Sequence, residues 1–367
     1  MTRVRRALAL SLLLTAVTAF VSPLRAADPP PRVAIGRIAG AAKVARAATG
    51  ADGTVHVLYD TASGPMYARS TDDGATFSAG LAVVDDASRR PGLVFSGEDL
   101  AVGPDGRVHA ALSTNAWKLK LPKEDWGFHC ASLAPGAKAF AAVRSINRKP
   151  SEGFSLAAGD RGCVVAAFLS GKLYAMTSRD DGATFSPAAE FDSSWDPCDC
   201  CTTSVTFGRD GRAALLYREQ TGNERDVHAV VWNPRSAAKP VRTRVSGEGW
   251  KTDACPMTYF SLRPAGDGYV AAWPTKGRIF VARLDKDGAV QTPGEVRTPG
   301  KAGIRTGVLA LGAADGACLV LWKDQDVLGW QAYDAALRPV GEPGSAASPS
   351  TGAAAAVLRD GRFLVFP

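Results

Sequence analysis

A hairpin signal that recurs along the whole chain constrains the fold more than any other feature of the sequence. Seven times, an Asp-Gly pair or a close variant of it stands between two short apolar runs. Both residue types tolerate the positive φ that a tight turn requires, so each copy predicts a β-hairpin. Six intervals separate the first copy from the last, and they give a period of about 51 residues, typical of a repeat architecture. The seven turns are Asp52-Gly53, Asp105-Gly106, Asp160 to Gly162, Asp210-Gly211, Asp267-Gly268, Asp315-Gly316 and Asp360-Gly361.

This repeat predicts an all-β fold, a β-propeller of four-stranded antiparallel blades. We prefer seven blades, with six as the alternative if one hairpin is an embellishment. The last hairpin, Ala353 to Phe366, provides only two strands, whereas Arg32 to Ile38 provides an apolar strand without a hairpin of its own. We expect these N- and C-terminal strands to share a blade and close the ring, because closure removes open sheet edges.

The N-terminus has the pattern of a secretory signal peptide. Three arginines within the first six residues precede an apolar run from Ala7 to Val21, and the small residues Ala26 and Ala27 follow. The run is too short to span a bilayer comfortably. We therefore expect residues 1–26 to be cleaved, residues 27–367 to form a single propeller domain, and the protein to be periplasmic or extracellular.

The charge pattern limits the partners. The formal net charge is +7, and the four arginines of the predicted signal peptide have no acidic counterpart there, so the mature chain carries +3. Basic and acidic residues are interspersed, which gives no support to a nucleic-acid partner. No later stretch is apolar enough to span a membrane. We expect a monomer that binds a glycan or a protein ligand.

Two units carry the motif S-x-D-x-G-x-T-F without departure. In such a turn, the Ser and Asp side chains bond the backbone amides of the turn itself, Gly takes the left-handed position and the aromatic ring packs beneath. We therefore interpret both copies as structural turn locks rather than as a pair of catalytic carboxylates. Their residues are Ser70, Asp72, Gly74, Thr76, Phe77, Ser178, Asp180, Gly182, Thr184 and Phe185.

These two motifs are Asp boxes, and through them the chain resembles the sialidase-like Asp-box (BNR) repeat propellers over essentially all of its mature length. A Trp-Asp-x-Cys-Asp-Cys-Cys segment, a later Arg-Asp pair and a still later Cys-Pro pair also resemble a group of exported bacterial sialidase-like proteins. The first resemblance implies the propeller fold, and the second implies family membership only. The chain departs from sialidases in its seven repeats and in lacking a Phe-Arg-Ile-Pro motif, for which Arg32-Val33-Ala34 is a poor substitute. We therefore do not expect ordinary sialidase activity.

Propeller topology sorts the cysteines by face. In a four-stranded blade, the link into the first strand and the link between the second and third strands emerge at the same end, where propeller ligands usually bind, and the Asp boxes fall at the opposite end. Cys198, Cys200 and Cys201 directly precede the fourth unit, and Cys255 directly precedes the fifth, so we expect their four sulfurs to gather at the ligand end. The remaining cysteines lie in or beside apolar strands and are expected to be buried small hydrophobes: Cys130, Cys163 and Cys318.

Three chemistries remain open for the four gathered cysteines. In an exported protein, a disulfide from Cys255 to Cys200 or Cys201 is the favoured hypothesis. A thiolate site for a soft metal ion, copper(I) or zinc, is the second, with Cys198, Cys200, Cys201 and Cys255 as ligands. A redox role is the third.

The loop after the second strand of the fourth unit is dense in charge and supplies the catalytic candidates. Arginines gathered over a propeller mouth can hold a carboxylate bidentately. A Tyr nucleophile is conceivable in Tyr217 with Glu219, or in Tyr259. For each charged residue, the alternative is a solvated loop in which Arg and Asp pair with each other. The candidates are Arg218, Glu219, Arg225 and Asp226 of this loop, together with Arg305, which enters the sixth unit from the same face.

Two classes of function follow. The first is a propeller that binds a glycan, a partner or a metal on the face that carries the cysteines. The alternative is an exo-α-sialidase-like glycoside hydrolase with a modified active site, in which a carboxylate acts as the acid. The fold alone does not choose between them.

Overall fold

The computed structural model describes residues 32–148, 151–303, 306–349 and 353–367. The predicted signal peptide, residues 1–26, lies outside the described residues. Residues Arg32–Pro367 make one compact unit.

The strands of this unit follow one another in chain order, blade by blade. After β1 (Val33–Ile35), blade 1 contains β2 (Lys43–Thr49), β3 (Val55–Thr61), β4 (Gly64–Ser70) and β5 (Leu81–Ala82). Blade 2 contains β6 (Phe95–Val102), β7 (Val108–Thr114), β8 (His129–Leu133) and β9 (Arg144–Ser145). Blade 3 contains β10 (Glu152–Ala158), β11 (Val164–Leu169), β12 (Leu173–Ser178) and β13 (Ala189–Glu190). Blade 4 contains β14 (Ser204–Phe207), β15 (Ala213–Arg218), β16 (Val227–Trp232) and β17 (Val241–Arg244).

The remaining blades repeat this order. Blade 5 contains β18 (Ser261–Ala265), β19 (Gly268–Thr275), β20 (Arg278–Leu284) and β21 (Val296–Lys301). Blade 6 contains β22 (Val308–Gly312), β23 (Cys318–Asp324), β24 (Val327–Tyr333) and β25 (Pro339–Ala347). Blade 7 contains β26 (Ala354–Val357) and β27 (Phe363–Phe366), with β1 as its third strand. Two short 3-10 helices lie in loops, at Asp86–Ser88 and Lys123–Asp125.

These sheets form a closed ring of seven blades, which confirms the predicted fold. In blades 1 to 6, the four strands lie in sequence order and pair antiparallel. The first strands of neighbouring blades contact each other all the way round, including β26 against β2. Among the described residues, no helix is long and apolar enough to cross a membrane.

Blade 7 closes the ring as expected but differs in one detail. Within the described part of the chain it has three strands, and β1 pairs with β27 in parallel, Val33 opposite Phe363 and Ile35 opposite Val365. The direction in which β1 has to run explains this parallel pairing. Because β1 leads directly into β2, it has to end at the face where second strands such as β27 also end.

The Asp-Gly turns all connect the first and second strands of their blades, as predicted. The aspartate side chain caps the turn: Asp52 Oδ1 accepts a hydrogen bond from the Thr54 amide at 2.9 Å, and Asp210 Oδ1 accepts one from the Arg212 amide at 3.1 Å. The glycine supplies the positive φ, 78° at Gly53. Local chemistry at these seven positions therefore fixes where each blade begins.

The two S-x-D-x-G-x-T-F turns join the third and fourth strands of blades 1 and 3, at the same end of the ring as the Asp-Gly turns. Asp72 accepts hydrogen bonds from the Thr76 amide at 2.9 Å, the Thr76 hydroxyl at 2.6 Å and the Ser70 hydroxyl at 2.7 Å. These bonds, first of all the one from the Thr76 hydroxyl, lower the pKa of Asp72 to about 2. Asp180 makes the same set with Thr184 and Ser178. The geometry is that of a turn lock.

The hydrophobic core lies between neighbouring blades. Each buried apolar cluster joins two successive sheets, as Leu216 of β15 and Trp273 of β19 do between blades 4 and 5. The second strands are the most buried, and every residue of β11 and β15 is inaccessible to solvent. Burying one such Leu or Val contributes about 1.5–3 kcal/mol. The junction between blades 4 and 5 is therefore a rigid platform for the loops above it.

Candidate functional site

A disulfide between Cys200 and Cys255 connects the segments that lead into blades 4 and 5. The Cα atoms lie 6.5 Å apart. Cys255 is exposed and Cys200 is half-buried. The disulfide expected between Cys255 and the Cys198–Cys201 segment is thus present, and it joins Cys200 rather than Cys201.

Directly beneath this disulfide lie two buried free thiols. The Sγ atoms of Cys198 and Cys201 are 3.4 Å apart, and neither residue exposes more than 2% of its surface. Cys198 Sγ is also 3.5 Å from Cys200 Sγ, and all three sulfur atoms lie within 4.8 Å of one another. A tight turn creates this arrangement, because the Cys201 amide donates to the Cys198 carbonyl at 3.1 Å.

The turn is held against the blade 4 loop by backbone hydrogen bonds. The Cys198 amide donates to the Arg218 carbonyl at 2.8 Å, and the Gln220 amide donates to the Asp196 carbonyl at 2.6 Å. On the blade 5 side, the Thr202 amide donates to the Thr258 carbonyl at 3.1 Å. The sulfur atoms are therefore fixed by two blades at once.

The two thiols have very different acidities. The hydrogen bond with Cys198 lowers the pKa of Cys201 to about 6, and the positive charge of Arg218 and the hydroxyl of Thr258 act in the same direction against burial. The same hydrogen bond, together with burial, raises the pKa of Cys198. Cys201 is therefore the more acidic thiol of the pair and the one on which a negative charge is better stabilised.

Arg218, the last residue of β15, supplies the counter-charge from inside the protein. It is 1% exposed, and its guanidinium lies over the Trp250 and Phe260 rings at 5.0 and 5.2 Å. It donates to the carbonyls of Arg225 and Pro274, while its Nε has no hydrogen-bond partner. A buried guanidinium with neutral partners only is costly, so a neighbouring anion stabilises it.

Arg225 contacts the thiol pair through Cys198. Its Nη1 donates to Cys198 Sγ at 3.2 Å and to the side-chain oxygen of Gln220, and its Nε donates to the Thr252 carbonyl at 3.4 Å. It is 5% exposed. Two guanidiniums thus face the sulfur atoms.

The carboxylates of the same loop are engaged elsewhere. Glu219 accepts from the Tyr217 hydroxyl and from the Asp196 amide, both at 2.8 Å, and pairs with Arg242 at 2.6 Å. This buried set clamps the segment before Cys198 onto blade 4.

Asp226 is likewise committed to internal partners. It pairs with Arg244 and accepts from the Ser246 hydroxyl at 3.3 Å, and burial, with a smaller effect from Glu224, raises its pKa. The charged partners of Glu219 and Asp226 therefore both come from β17.

The structure brings four of the five catalytic candidates into one loop, next to the cysteines: Arg218, Glu219, Arg225 and Asp226. Arg305 lies outside the described residues. Tyr217 is fully buried in the core between blades 3 and 4, where desolvation raises the pKa of its hydroxyl, and Tyr259 is 43% exposed. Sequence reasoning missed Arg242, Arg244, Trp250 and Thr258, because none of them belongs to a recognisable motif.

The other cysteines are isolated and buried, as expected. Cys130, Cys163 and Cys318 are each at most 2% exposed. Burial raises the pKa of Cys130 and of Cys318 to about 12. Their thiols are inert, which sets the four gathered cysteines apart.

Two open surface depressions are lined by other residues. One lies beside the second turn lock and includes Arg179 and Asp180. The other lies at the outer side of blade 4, where Arg244 and Ser246 face Glu295. Neither of these two depressions is lined by a cysteine.

The fold and the site together define a seven-bladed propeller with a cysteine-rich junction between two blades. No protein-family model matches the chain, and no curated protein matches its sequence. Solved structures do match. A streptogramin B lyase matches with a TM-score of 0.55 and 11% identity, covering 90% of this chain and 92% of that one.

Two further solved structures also match. An ulvan lyase matches with a TM-score of 0.54 and 11% identity, covering 88% of this chain and 89% of that one. A leech intramolecular trans-sialidase matches with a TM-score of 0.48 and 12% identity over 80% of this chain and 68% of that one. At these identities the likeness shows the fold alone.

Proposed function

We propose that the protein is a ligand-binding propeller whose ligand is a soft monovalent metal ion, copper(I), held between the sulfur atoms of Cys198 and Cys201. The observation that carries the proposal is the pair of buried thiols, 3.4 Å apart, on which two guanidiniums converge. Thiolates select soft ions such as copper(I) over hard ones. The tight turn and the two flanking blades preorganise both ligands.

Charge favours a monovalent over a divalent ion. The neighbouring carboxylates Glu219 and Asp226 pair with Arg242 and Arg244, which leaves Arg218 and Arg225 to be balanced by the sulfur atoms. Two thiolates with copper(I) retain one negative charge, whereas two thiolates with zinc(II) retain none. In a buried site, an uncompensated positive charge is strongly unfavourable.

The coordination number also favours copper(I) over zinc(II). Structural zinc sites are almost always tetrahedral with four protein ligands. With the Cys200–Cys255 disulfide formed, only two sulfur atoms of the cluster are free, and no His belongs to the group. Two-sulfur coordination suits a soft monovalent ion better.

The test is a competition titration of the disulfide-intact protein with copper(I), kept reduced by ascorbate and buffered by bicinchoninate. We expect one copper(I) per chain and weaker binding of zinc(II). Cys198→Ala and Cys201→Ala should each lower copper(I) affinity at least about 100-fold, because each removes a ligand. Cys318→Ala is the matched control, since it removes a buried thiol remote from the site. Equal affinity in all four proteins contradicts the proposal.

The hydrolase alternative has less support. Its candidate acids, Glu219 and Asp226, are buried in ion pairs, and Tyr217, which hydrogen-bonds Glu219, is inaccessible. We therefore expect sialosides to be turned over at background rates by the purified protein. Hydrolysis that disappears in Arg225→Ala and persists in Arg209→Ala, an exposed control, would reverse this conclusion. Binding of a glycan elsewhere on the ring stays a prediction.

We also propose that the protein is exported. The arginine-led apolar run at the N-terminus supports this, and the disulfide suits an oxidising compartment. N-terminal sequencing of the protein purified from the periplasmic fraction should start near Ala27. A chain that retains Met1 and stays in the cytoplasmic fraction contradicts export.

A further inference from the structure

We infer that the four cysteines form a thiol–disulfide exchange relay, in which the disulfide moves between the exposed Cys200–Cys255 position and the buried Cys198–Cys201 position. The disulfide lies at the surface, and the sulfur atoms of two thiols contact it or each other, Cys198 Sγ at 3.5 Å from Cys200 Sγ and Cys201 Sγ at 3.4 Å from Cys198 Sγ. The inference rests on the proposed function in one respect, because it determines when the ion ligands are free.

The first step joins Cys198 to Cys200. The two Sγ atoms are 3.5 Å apart, which is non-bonded contact, so the attacking and attacked sulfur atoms already lie side by side. Cys198 gives its proton to the Cys201 thiolate, 3.4 Å away, its Sγ forms a bond to Cys200 Sγ, and the Cys200–Cys255 bond breaks. The electron pair leaves on Cys255 Sγ, which takes a proton from water because Cys255 is exposed.

The second step moves the bond inward. Cys201 Sγ is 3.4 Å from Cys198 Sγ. Cys201 Sγ forms a bond to Cys198 Sγ, the Cys198–Cys200 bond breaks, and Cys200 Sγ takes the electron pair and the proton that Cys201 gives up. The product disulfide spans a Cys-x-x-Cys sequence, the spacing of many redox-active pairs. One disulfide and two thiols exist before and after, so no external oxidant or reductant is required.

The charges around the sulfur atoms support both steps. Arg225 Nη1 donates to Cys198 Sγ at 3.2 Å, and the Arg218 guanidinium also hydrogen-bonds Cys201. Each attacking sulfur therefore has a cation beside it that stabilises its thiolate. A disulfide that served only to join blades 4 and 5 would need neither the two thiols beneath it nor these guanidiniums.

In such a relay, the position of the disulfide would determine whether the ion can bind. With the disulfide at Cys200–Cys255, the buried pair is free to bind copper(I). With the disulfide at Cys198–Cys201, both ion ligands are consumed, and an exposed dithiol appears at Cys200 and Cys255. A partner dithiol or disulfide that reaches Cys255 would then control the affinity for the ion.

The test is disulfide mapping of the metal-free full chain. The protein is incubated at mildly alkaline pH for minutes to hours, the time scale of uncatalysed rearrangement, then quenched in acid, alkylated and digested. We expect Cys255 to be alkylated in at least about one chain in ten. This fraction corresponds to an equilibrium ratio of no more than about tenfold between the original disulfide isomer and the rearranged ones. The same chains should contain a Cys198–Cys200 or Cys198–Cys201 bond.

Two variants separate the steps. Cys198→Ala removes the attacking thiol, so its disulfide should stay at Cys200–Cys255. Cys201→Ala permits only the first step, so only the Cys198–Cys200 isomer should accumulate beside the original bond. Cys318→Ala should behave like the unmodified protein. A single Cys200–Cys255 bond at every time in the unmodified protein overturns the relay, and so does rearrangement that Cys198→Ala does not stop.

The relay and the proposed function fail independently. Exchange is measured without metal, and copper(I) binding is measured with the Cys200–Cys255 disulfide verified by mapping. Tight copper(I) binding without exchange overturns the relay alone. Exchange without copper(I) binding overturns the proposed function alone.

Discussion

At the scale of single residues, Arg218 determines the electrostatics of the site. It ends a fully buried strand and has only carbonyl, hydroxyl and sulfur partners. Its charge is one of the causes that lower the pKa of Cys201 to about 6, after the hydrogen bond with Cys198. A buried charge of this kind acts at short range and with little solvent screening.

Arg218→Met should therefore raise the pKa of Cys201 above about 6, because the thiolate loses a neighbouring positive charge. Arg218→Lys retains the charge and should give a smaller increase. The measurement is the ultraviolet absorbance of the thiolate against pH in the disulfide-intact protein, with thermal unfolding to verify the fold. An unchanged titration midpoint in folded Arg218→Met would show that the charge does not act on the thiol.

The histidines predict the response to acid. Burial lowers the pKa of His56, His109 and His228 to about 4, from an ordinary value of 6.5. Below pH 6.5, the unfolded chain binds protons at these positions and the folded chain does not. The contribution of the neutral imidazoles to the free energy of unfolding is therefore fully present above pH 6.5 and decreases towards pH 4. The decrease is at most roughly 3 kcal/mol per histidine, at about 1.36 kcal/mol per pKa unit.

Urea unfolding between pH 7 and pH 4 measures this dependence. His109→Gln should flatten the curve, because Gln can still hydrogen-bond Ser132, the 2.9 Å partner of the imidazole, and does not titrate. Arg209→Gln, at an exposed position, should leave the curve unchanged. A stability that is constant over this range would contradict the buried, neutral state of the imidazoles.

At the scale of elements, the turns explain what sequence can predict. In the Asp-Gly pairs and the S-x-D-x-G-x-T-F motifs, side chains hydrogen-bond the backbone of their own turn. Four to eight consecutive residues therefore determine each turn. The contacts of Glu219 and Asp226 could not be predicted in this way. Their partners Arg242 and Arg244 come from β17, and which side chains reach across a blade depends on register and orientation.

The contacts of the cysteine turn could likewise be predicted from the sequence only in part. Blade adjacency predicts that Cys255 approaches the Cys198–Cys201 segment, and it does. Which sulfur it bonds depends on side-chain direction: Cys201 points into the core, at 2% exposure, while its neighbour Cys200 faces Cys255. Two adjacent cysteines of the same type cannot be distinguished by pattern alone.

The disulfide should also stabilise the junction between blades 4 and 5. Its two cysteines are 55 positions apart, so it restricts a long loop in the unfolded chain. Cys255→Ala should therefore lower the free energy of unfolding by about 2–5 kcal/mol under oxidising conditions. Denaturant unfolding measures the difference, and repeating it after reduction is the control, since the difference should then disappear. Equal stability under oxidising conditions would contradict the stapling role.

At the scale of the whole molecule, the period of the repeat favoured a ring of seven blades over the alternative of six, and the structure has seven. The number of hairpins follows from the turns, and closure follows from the cost of open edges. The parallel pairing of β1 with β27 was not predictable from pattern, because an apolar strand of three residues carries no signal of direction.

The ring also explains why the site lies where it does. Blades 4 and 5 share a buried apolar cluster that includes Cys198 and Cys201 themselves, so the sulfur atoms are part of the junction rather than of a mobile loop. A rigid platform of this kind holds ligands in place without rearrangement. The proposed copper(I) site therefore belongs to the junction between two blades.

The most direct test of this account is X-ray absorption at the copper edge of the disulfide-intact protein loaded with one copper(I). We predict a first shell of sulfur only, with two neighbours, lost in both Cys198→Ala and Cys201→Ala and retained in Cys318→Ala. A first shell of nitrogen or oxygen, or a sulfur shell that survives in Cys198→Ala, would contradict a copper(I) site between Cys198 and Cys201.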